Sequence, residues 1–139
     1  MFAATSTILL CTDDPSLRLL LRLAIEPRGH RVVEAGDGEA AIALSQSTEP
    51  NLVIVDLLLP DCSGVDVVRV LREHPKLSGT PILMAMGRSH PSDRMAAEAA
   101  GVDSFICKPF GITWLVDEIE RLLVGSVEST VSLPLHRLR

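Results

Sequence analysis

The sequence predicts one doubly wound α/β domain: a five-stranded parallel sheet with helices on both faces. Three observations carry that prediction. Short apolar runs at Ile8 to Cys11, Leu52 to Val55 and Ile82 to Met86 read as buried strands, and Arg31 to Ala35 and Ser104 to Cys107 as two further short strands. Segments with apolar residues at helical spacing separate them, closed by Gly or Pro. Strict alternation of the two calls for parallel strands joined by right-handed crossovers. The natural order for five such strands is 2-1-3-4-5, the flavodoxin-like arrangement.

The totals agree. A length of 139 residues suits one domain with a proper core, and 47% hydrophobic residues argue against disorder. A net charge of −5, with 3% aromatics and no Tyr, disfavours both a phosphate-binding surface and a base-stacking platform. This chain by itself is therefore not expected to bind nucleic acid. No apolar run reaches the roughly 18 residues of a membrane span. The opening MFAATSTILLCTDDP lacks a basic region and its apolar run stops at two acids, so it reads as a strand and not a signal peptide. Cys11, Cys62 and Cys107 form no close pair, which fits reduced thiols and a cytoplasmic location. Cys11 and Cys107 read as buried structural thiols.

Taken in order, Ile8 to Cys11 is followed by Thr12 and Asp13-Asp14-Pro15, where one acid suits a helix N-cap and Pro suits the first turn. Leu17, Leu20, Leu21, Ala24 and Ile25 give the first helix its apolar positions, and Gly29 makes the bend beyond Glu26-Pro27. After the second strand, Gly36-Asp37-Gly38 is a turn into a helix over Glu39 to Gln46. The third helix spans Val65 to Arg72 with Val65, Val68 and Leu71 inward, and His74-Pro75 ends it, His74 reading as a solvated charge. Ser92 is the expected N-cap of a helix over Asp93 to Ala100, which Gly101 closes. The last helix is expected over about Ile112 to Val124, burying Leu115, Ile119 and Leu122 and exposing Asp117, Glu118 and Arg121.

The stretch Asn51 to Gly64, NLVIVDLLLPDCSG, holds the chemistry. Its strand ends at Asp56, and the carboxyl ends of central parallel strands are where such sheets place ligands. Strands one and three are neighbours, so Asp13, Asp14 and Asp56 are expected at one edge, with Lys108 arriving from strand five. Three carboxylates together repel unless a cation joins them, and Mg²⁺ suits oxygen ligands and incoming phosphate. The metal would let an Asp attack a phosphoryl group in line, and Lys108 would pair with a phosphoryl oxygen. Lys108-Pro109 lies in a tight turn of the kind that holds cis-Pro.

These residues resemble the receiver domain of two-component response regulators, the CheY-like fold. The motifs are Asp13-Asp14 after strand one, Asp56 in VDLLLPDCSG, and Lys108-Pro109-Phe110 after strand five. The resemblance covers roughly Thr7 to Val124. It implies that Asp56 accepts phosphate from a phosphohistidine on a sensor kinase or phosphotransfer protein, the domain catalysing its own phosphorylation and dephosphorylation. It further implies Mg²⁺ held by Asp13, Asp14, Asp56 and the backbone carbonyl of Leu58, with Phe105 as the aromatic switch residue. The family's output face, on helix 4, strand 5 and helix 5, would meet a downstream effector or a second copy as a homodimer. Arg94, Glu98, Asp103, Phe105, Glu118 and Arg121 fall in that region, although helical spacing alone makes such charges ordinary solvated positions.

One departure stands out. Where the family keeps a fourth-strand Thr or Ser, this chain has Met86, which has no hydroxyl, and neither Ala85 nor Gly87 supplies one. Ser89 is the nearest, out in the loop. Met86 raises the alternative of a receiver-like interaction module whose output is independent of phosphate. Leu58 and Arg88 flank the phosphoryl position, and an apolar Leu58 offers no hydrogen bond to an attacking water. A long-lived aspartyl phosphate is one reading of Leu58, and plain packing against the loop is the other. A haloacid-dehalogenase-type phosphatase is excluded because Leu58 stands where its second Asp belongs. A flavodoxin-like electron carrier is excluded by the acids and Pro after strand one. The domain is read as residues 1–124. Residues 125–139, GSVESTVSLPLHRLR, are read as a tail or linker stub, or else a docking peptide anchored by Leu133, Leu135 and Leu138.

Overall fold

The computed structural model describes residues 6–87 and 91–131. Five strands and five helices alternate: β1 Thr7–Cys11, α1 Pro15–Ile25, β2 Arg31–Ala35, α2 Gly38–Thr48, β3 Leu52–Asp56, α3 Gly64–Glu73, β4 Ile82–Met86, α4 Pro91–Ala100, β5 Ser104–Cys107 and α5 Ile112–Val131. The sheet order is β2-β1-β3-β4-β5, every pair parallel, as the alternation predicts.

Side chains alternate across the sheet and divide the core into two layers. Ile8 and Leu10, Ile54, Leu83, Ala85 and Ile106 face α1 and α5, meeting Leu17, Leu21, Leu115 and Ile119. Leu9 and Cys11, Val53, Val55, Met84 and Met86 face the other way, meeting Ala41 of α2, Val67, Val68 and Leu71 of α3, and Ala97 of α4. β3 and β4 are buried along their whole length, so the sheet centre is fixed from both sides.

Local chemistry sets the helix starts. Asp14 caps α1, its Oδ1 accepting the Ser16 and Leu17 amides, and Pro15 supplies a first-turn residue whose missing N–H costs nothing. Asp37 caps α2 through the Ala40 amide, and Ser63 and Asp66 form a reciprocal capping box on α3. Asp61 adds a second cap to α2 from across the loop, taking the Gly38 amide at 2.8 Å and the Glu39 amide at 3.1 Å. The Gly38 N–H in particular holds its carboxyl below the ordinary range.

Arg72, on α3, ties the far end of the sheet together. Its guanidinium donates to the carbonyls of Leu77, Ser78, Thr80 and Gly101 and to Asp103, whose Oδ2 also accepts the Ile82 amide. Gly101, at φ 114, closes α4, and a Cβ there would sit 2.9 Å from the Arg72 side chain.

Several expectations change. α4 begins at Pro91, so Ser92 lies inside its first turn and is not the N-cap. α5 runs to Val131, seven residues past the expected end, through Gly125 and a run of Ser, Val and Thr whose helix propensity is weak. Cys107, the last residue of β5, is exposed where a buried thiol was expected; Cys11 is buried as expected. Glu118 is largely covered, since its carboxylate takes the Ser104 hydroxyl at 2.5 Å and Arg121 at 2.5 Å. The Arg121 contact foremost holds that carboxyl below its usual value. Arg88, Ser89, Leu133, Leu135 and Leu138 lie outside the described residues.

Candidate functional site

Strand register builds the site. Asp56 ends β3 level with Ala85, and Cys11 of β1 pairs with Val55, so Thr12 arrives beside Asp56. Lys108 follows Ile106 by two positions, and its amide donates to the Met86 carbonyl at 2.7 Å, extending the β4–β5 ladder. Thr12, Asp56 and Lys108 thus share one sheet face at its carboxyl edge.

Asp56 is only 4% exposed. Its two oxygens have different partners. Lys108 Nζ stands 2.7 Å from Oδ1 as an ion pair, the separation of a charge-assisted contact. The Thr12 hydroxyl, fully buried, donates to Oδ2. A buried carboxylate without such partners would be strongly disfavoured, and here one cation and one hydroxyl meet it. Each oxygen keeps acceptor capacity beyond these contacts, which is what an incoming cation or phosphorus needs.

The loop after β3 is shaped by one glycine. A Cβ on Gly64 would lie 2.2 Å from the Asp56 carbonyl oxygen, so only Gly lets α3 start this close to the strand. Gly64 N–H donates to the Leu57 carbonyl at 2.7 Å, and Leu59 N–H donates to the Cys62 carbonyl at 3.1 Å. These two bonds flank the Leu58–Ser63 bridge, an antiparallel pair of the kind that turns the N–H and C=O of its central residues outward. The Leu58 carbonyl is thereby left free of that ladder. Its side chain is 77% exposed, so the reading in which Leu58 packs against the loop does not hold.

The acids after β1 are placed differently from one another. No group of three His, Cys, Asp or Glu side chains able to hold a metal occurs among the described residues, so Asp13, Asp14 and Asp56 do not converge as a trio. The physical reason is local. Asp14 is turned back to cap α1, and Asp13 is exposed at the same sheet edge. The residue that reaches Asp56 is Thr12, which the sequence reading passed over. Two-residue alternation from Ile8 and Leu10 was the signal for it. Asp13, Asp56 and the Leu58 carbonyl are oxygen donors of the type taken by a Mg²⁺ ion that keeps several waters.

Met86 and Phe105 lie on the opposite sheet face. Met86 is buried in the layer under α3 and α4, and Phe105 packs against that same cluster. Arg94 Cζ stands 4.4 Å from the Phe105 ring centroid, linking α4 to β5. The Lys108-Pro109 peptide is cis. Beyond it, Phe105, Ile106, Cys107, Phe110, Gly111 and Trp114 line an open apolar groove of about 410 Å³. Behind the site, burial foremost, with the Asp56 charge second, pushes the Cys11 thiol up to about 12, so it stays protonated and inert.

Comparison with known proteins shows the family. The family described as the response regulator receiver domain matches residues 8–120. The chain is 37% identical over 107 residues to the KDP operon transcriptional regulatory protein KdpE of Escherichia coli, covering 77% of this chain and 46% of that protein. It is 33% identical to the DNA-binding response regulator MtrA of Mycolicibacterium smegmatis, covering 94% and 60%. The chain therefore spans about half the length of these relatives. Among solved structures, it resembles the signal receiver domain of a signal transduction histidine kinase from Syntrophus aciditrophicus, with TM-score 0.81, 30% identity and coverage of 92% and 96%. It also resembles the chemotaxis response regulator CheY4 of Vibrio cholerae, with TM-score 0.80, 26% identity and coverage of 86% and 99%. None of these matches supports a phosphate-independent interaction module.

Proposed function

The chain belongs to the response regulator receiver family of two-component systems, and from that premise we propose that Asp56 is its phosphoacceptor. The observation that carries this reading is the buried Asp56 carboxylate held between Lys108 and Thr12 at the carboxyl edge of the sheet. Receivers interact in general with sensor kinases and downstream effectors. The donor here is a phosphohistidine on a sensor kinase or phosphotransfer protein, and Asp56 attacks its phosphorus in line. Lys108, ion-paired to Oδ1 at rest, pairs with a phosphoryl oxygen once phosphate arrives.

Receivers of this family bind Mg²⁺ for phosphorylation, and the residues present fit that ion. Asp13, Asp56 and the Leu58 carbonyl would hold it, with Asp14, whose Oδ1 caps α1, contributing directly or through water. When bound, the metal offsets negative charge between the carboxylate and the incoming phosphoryl group. The test is phosphate incorporation from a small acyl phosphate with Mg²⁺ and with a chelator. Incorporation that depends on Mg²⁺ supports the assignment, and equal incorporation in chelator contradicts it.

Output runs through protein contacts on α4, β5 and α5, where Phe105, Trp114 and the apolar groove are open to a downstream effector or a second copy. Among the described residues no helix is long and apolar enough to cross a membrane. The chain works in the cytoplasm and does not itself bind nucleic acid.

A further inference from the structure

We propose that Thr12 is a positioning residue that makes Oδ1 of Asp56 the attacking oxygen, an inference that rests on reading Asp56 as the phosphoacceptor. Thr12 is held on every side. Its N–H donates to the Ala35 carbonyl at 3.0 Å, and its own carbonyl accepts Arg18 Nη1 at 3.1 Å. Its hydroxyl oxygen accepts the Asp14 amide at 3.1 Å. That last bond fixes the direction of the hydroxyl proton. An ionised carboxylate only accepts, so the proton must go to Asp56 Oδ2. Oδ2 is thereby pinned, and Oδ1 is turned toward Lys108, which pairs with it at 2.7 Å.

In the transfer step Oδ1 supplies an electron pair to phosphorus. The new O–P bond forms as the donor's P–O or P–N bond breaks, and the bonding pair leaves on the donor atom. Thr12 neither gains nor loses a proton. It acts through orientation, and holding a nucleophile in line is worth large factors in rate. Its proton is committed to Oδ2 and one lone pair of its oxygen to the Asp14 amide.

The experiment compares the parent chain with Thr12→Val and Thr12→Ser, using acetyl phosphate and saturating Mg²⁺ with intact-mass readout, and Mg²⁺ affinity by calorimetry. Thr12→Val is expected to lower the maximal labelling rate by about tenfold or more, with the half-saturating donor concentration unchanged. Thr12→Ser keeps the hydroxyl and should return to within about threefold of the parent. The Mg²⁺ dissociation constant should stay within about twofold in both. If Val disturbs the fold on thermal melting, Thr12→Ala takes its place. A hydroxyl-less variant that labels at the parent's rate overturns the inference, as does a Ser variant as slow as Val. So does a Mg²⁺ affinity that falls with the hydroxyl. A parent that takes no phosphate overturns the phosphoacceptor reading, and this inference with it.

Discussion

Replacing Gly64 with Ala would put a methyl carbon 2.2 Å from the Asp56 carbonyl oxygen and 3.1 Å from its carbonyl carbon. Ordinary contact begins near 3.4 Å, so either β3 or the start of α3 must move by on the order of 1 Å. Neither moves freely. β3 is buried along its length between β1 and β4, and α3 is pinned by its capping box and by the Gly64 bond to Leu57. Overpacking of this kind costs about 1–3 kcal/mol, or roughly 3–10 °C in melting temperature for a domain of this size. The larger effect falls on chemistry. Asp56 supplies both the clashing carbonyl and the carboxylate, and a misplacement of about 1 Å costs up to about a hundredfold in rate. The assay is a thermal melt beside the rate of phosphate incorporation followed by intact mass. A variant that melts with the parent and labels within about threefold of it would refute the argument that Gly64 sets the position of Asp56.

Other outcomes follow from the same contacts. Arg72→Met keeps the aliphatic stem but strands four carbonyls and Asp103, and should cost about 2–4 kcal/mol, seen as a drop in denaturant midpoint. Asp103→Asn, whose carboxylate is half exposed, should cost clearly less. Asp61, held below the ordinary carboxyl range by the Gly38 amide, contributes stability that is present at neutral pH. That contribution is lost as pH falls below the unfolded carboxyl value and through the lower folded one. Melting curves of the parent and Asp61→Asn should therefore differ at pH 7 and converge in acid; a gap that widens in acid would contradict the cap. Leu58→Asn, which adds a polar group at an exposed position beside the site, should shorten the life of the phosphorylated form by about tenfold or more, measured as loss of adduct after donor removal.

The sheet was legible because its signal is redundant. Five strand-like runs, five helical segments and the turn residues between them leave one reasonable winding, which puts Asp56 and Lys108 at the same carboxyl edge of the sheet. Side-chain direction at strand ends was less legible. Asp13 and Asp14 attracted attention as acids, yet a cap on α1 claimed Asp14, and Thr12 took the place beside Asp56. Ser and Asp at such positions serve caps and sites equally well by type, and only geometry separates the roles. Surface placement was the weakest inference. Cys107 reads as apolar but lies at the exposed end of β5, and Glu118 reads as solvated but is covered by Ser104 and Arg121. The helix extension past Val124 runs through Gly125 and then Ser, Val and Thr residues of weak helix propensity, so local propensity could not signal it.

The central claim is that Asp56 carries the phosphoryl group. The parent chain and Asp56→Asn should be incubated with Mg²⁺ and acetyl phosphate, weighed intact, and digested with trypsin. One phosphate on the parent, found on the peptide from Val32 to Arg69 and missing from a folded Asp56→Asn chain, is the predicted result. A folded parent that gains no mass, or an Asp56→Asn chain that gains as much, would contradict the account.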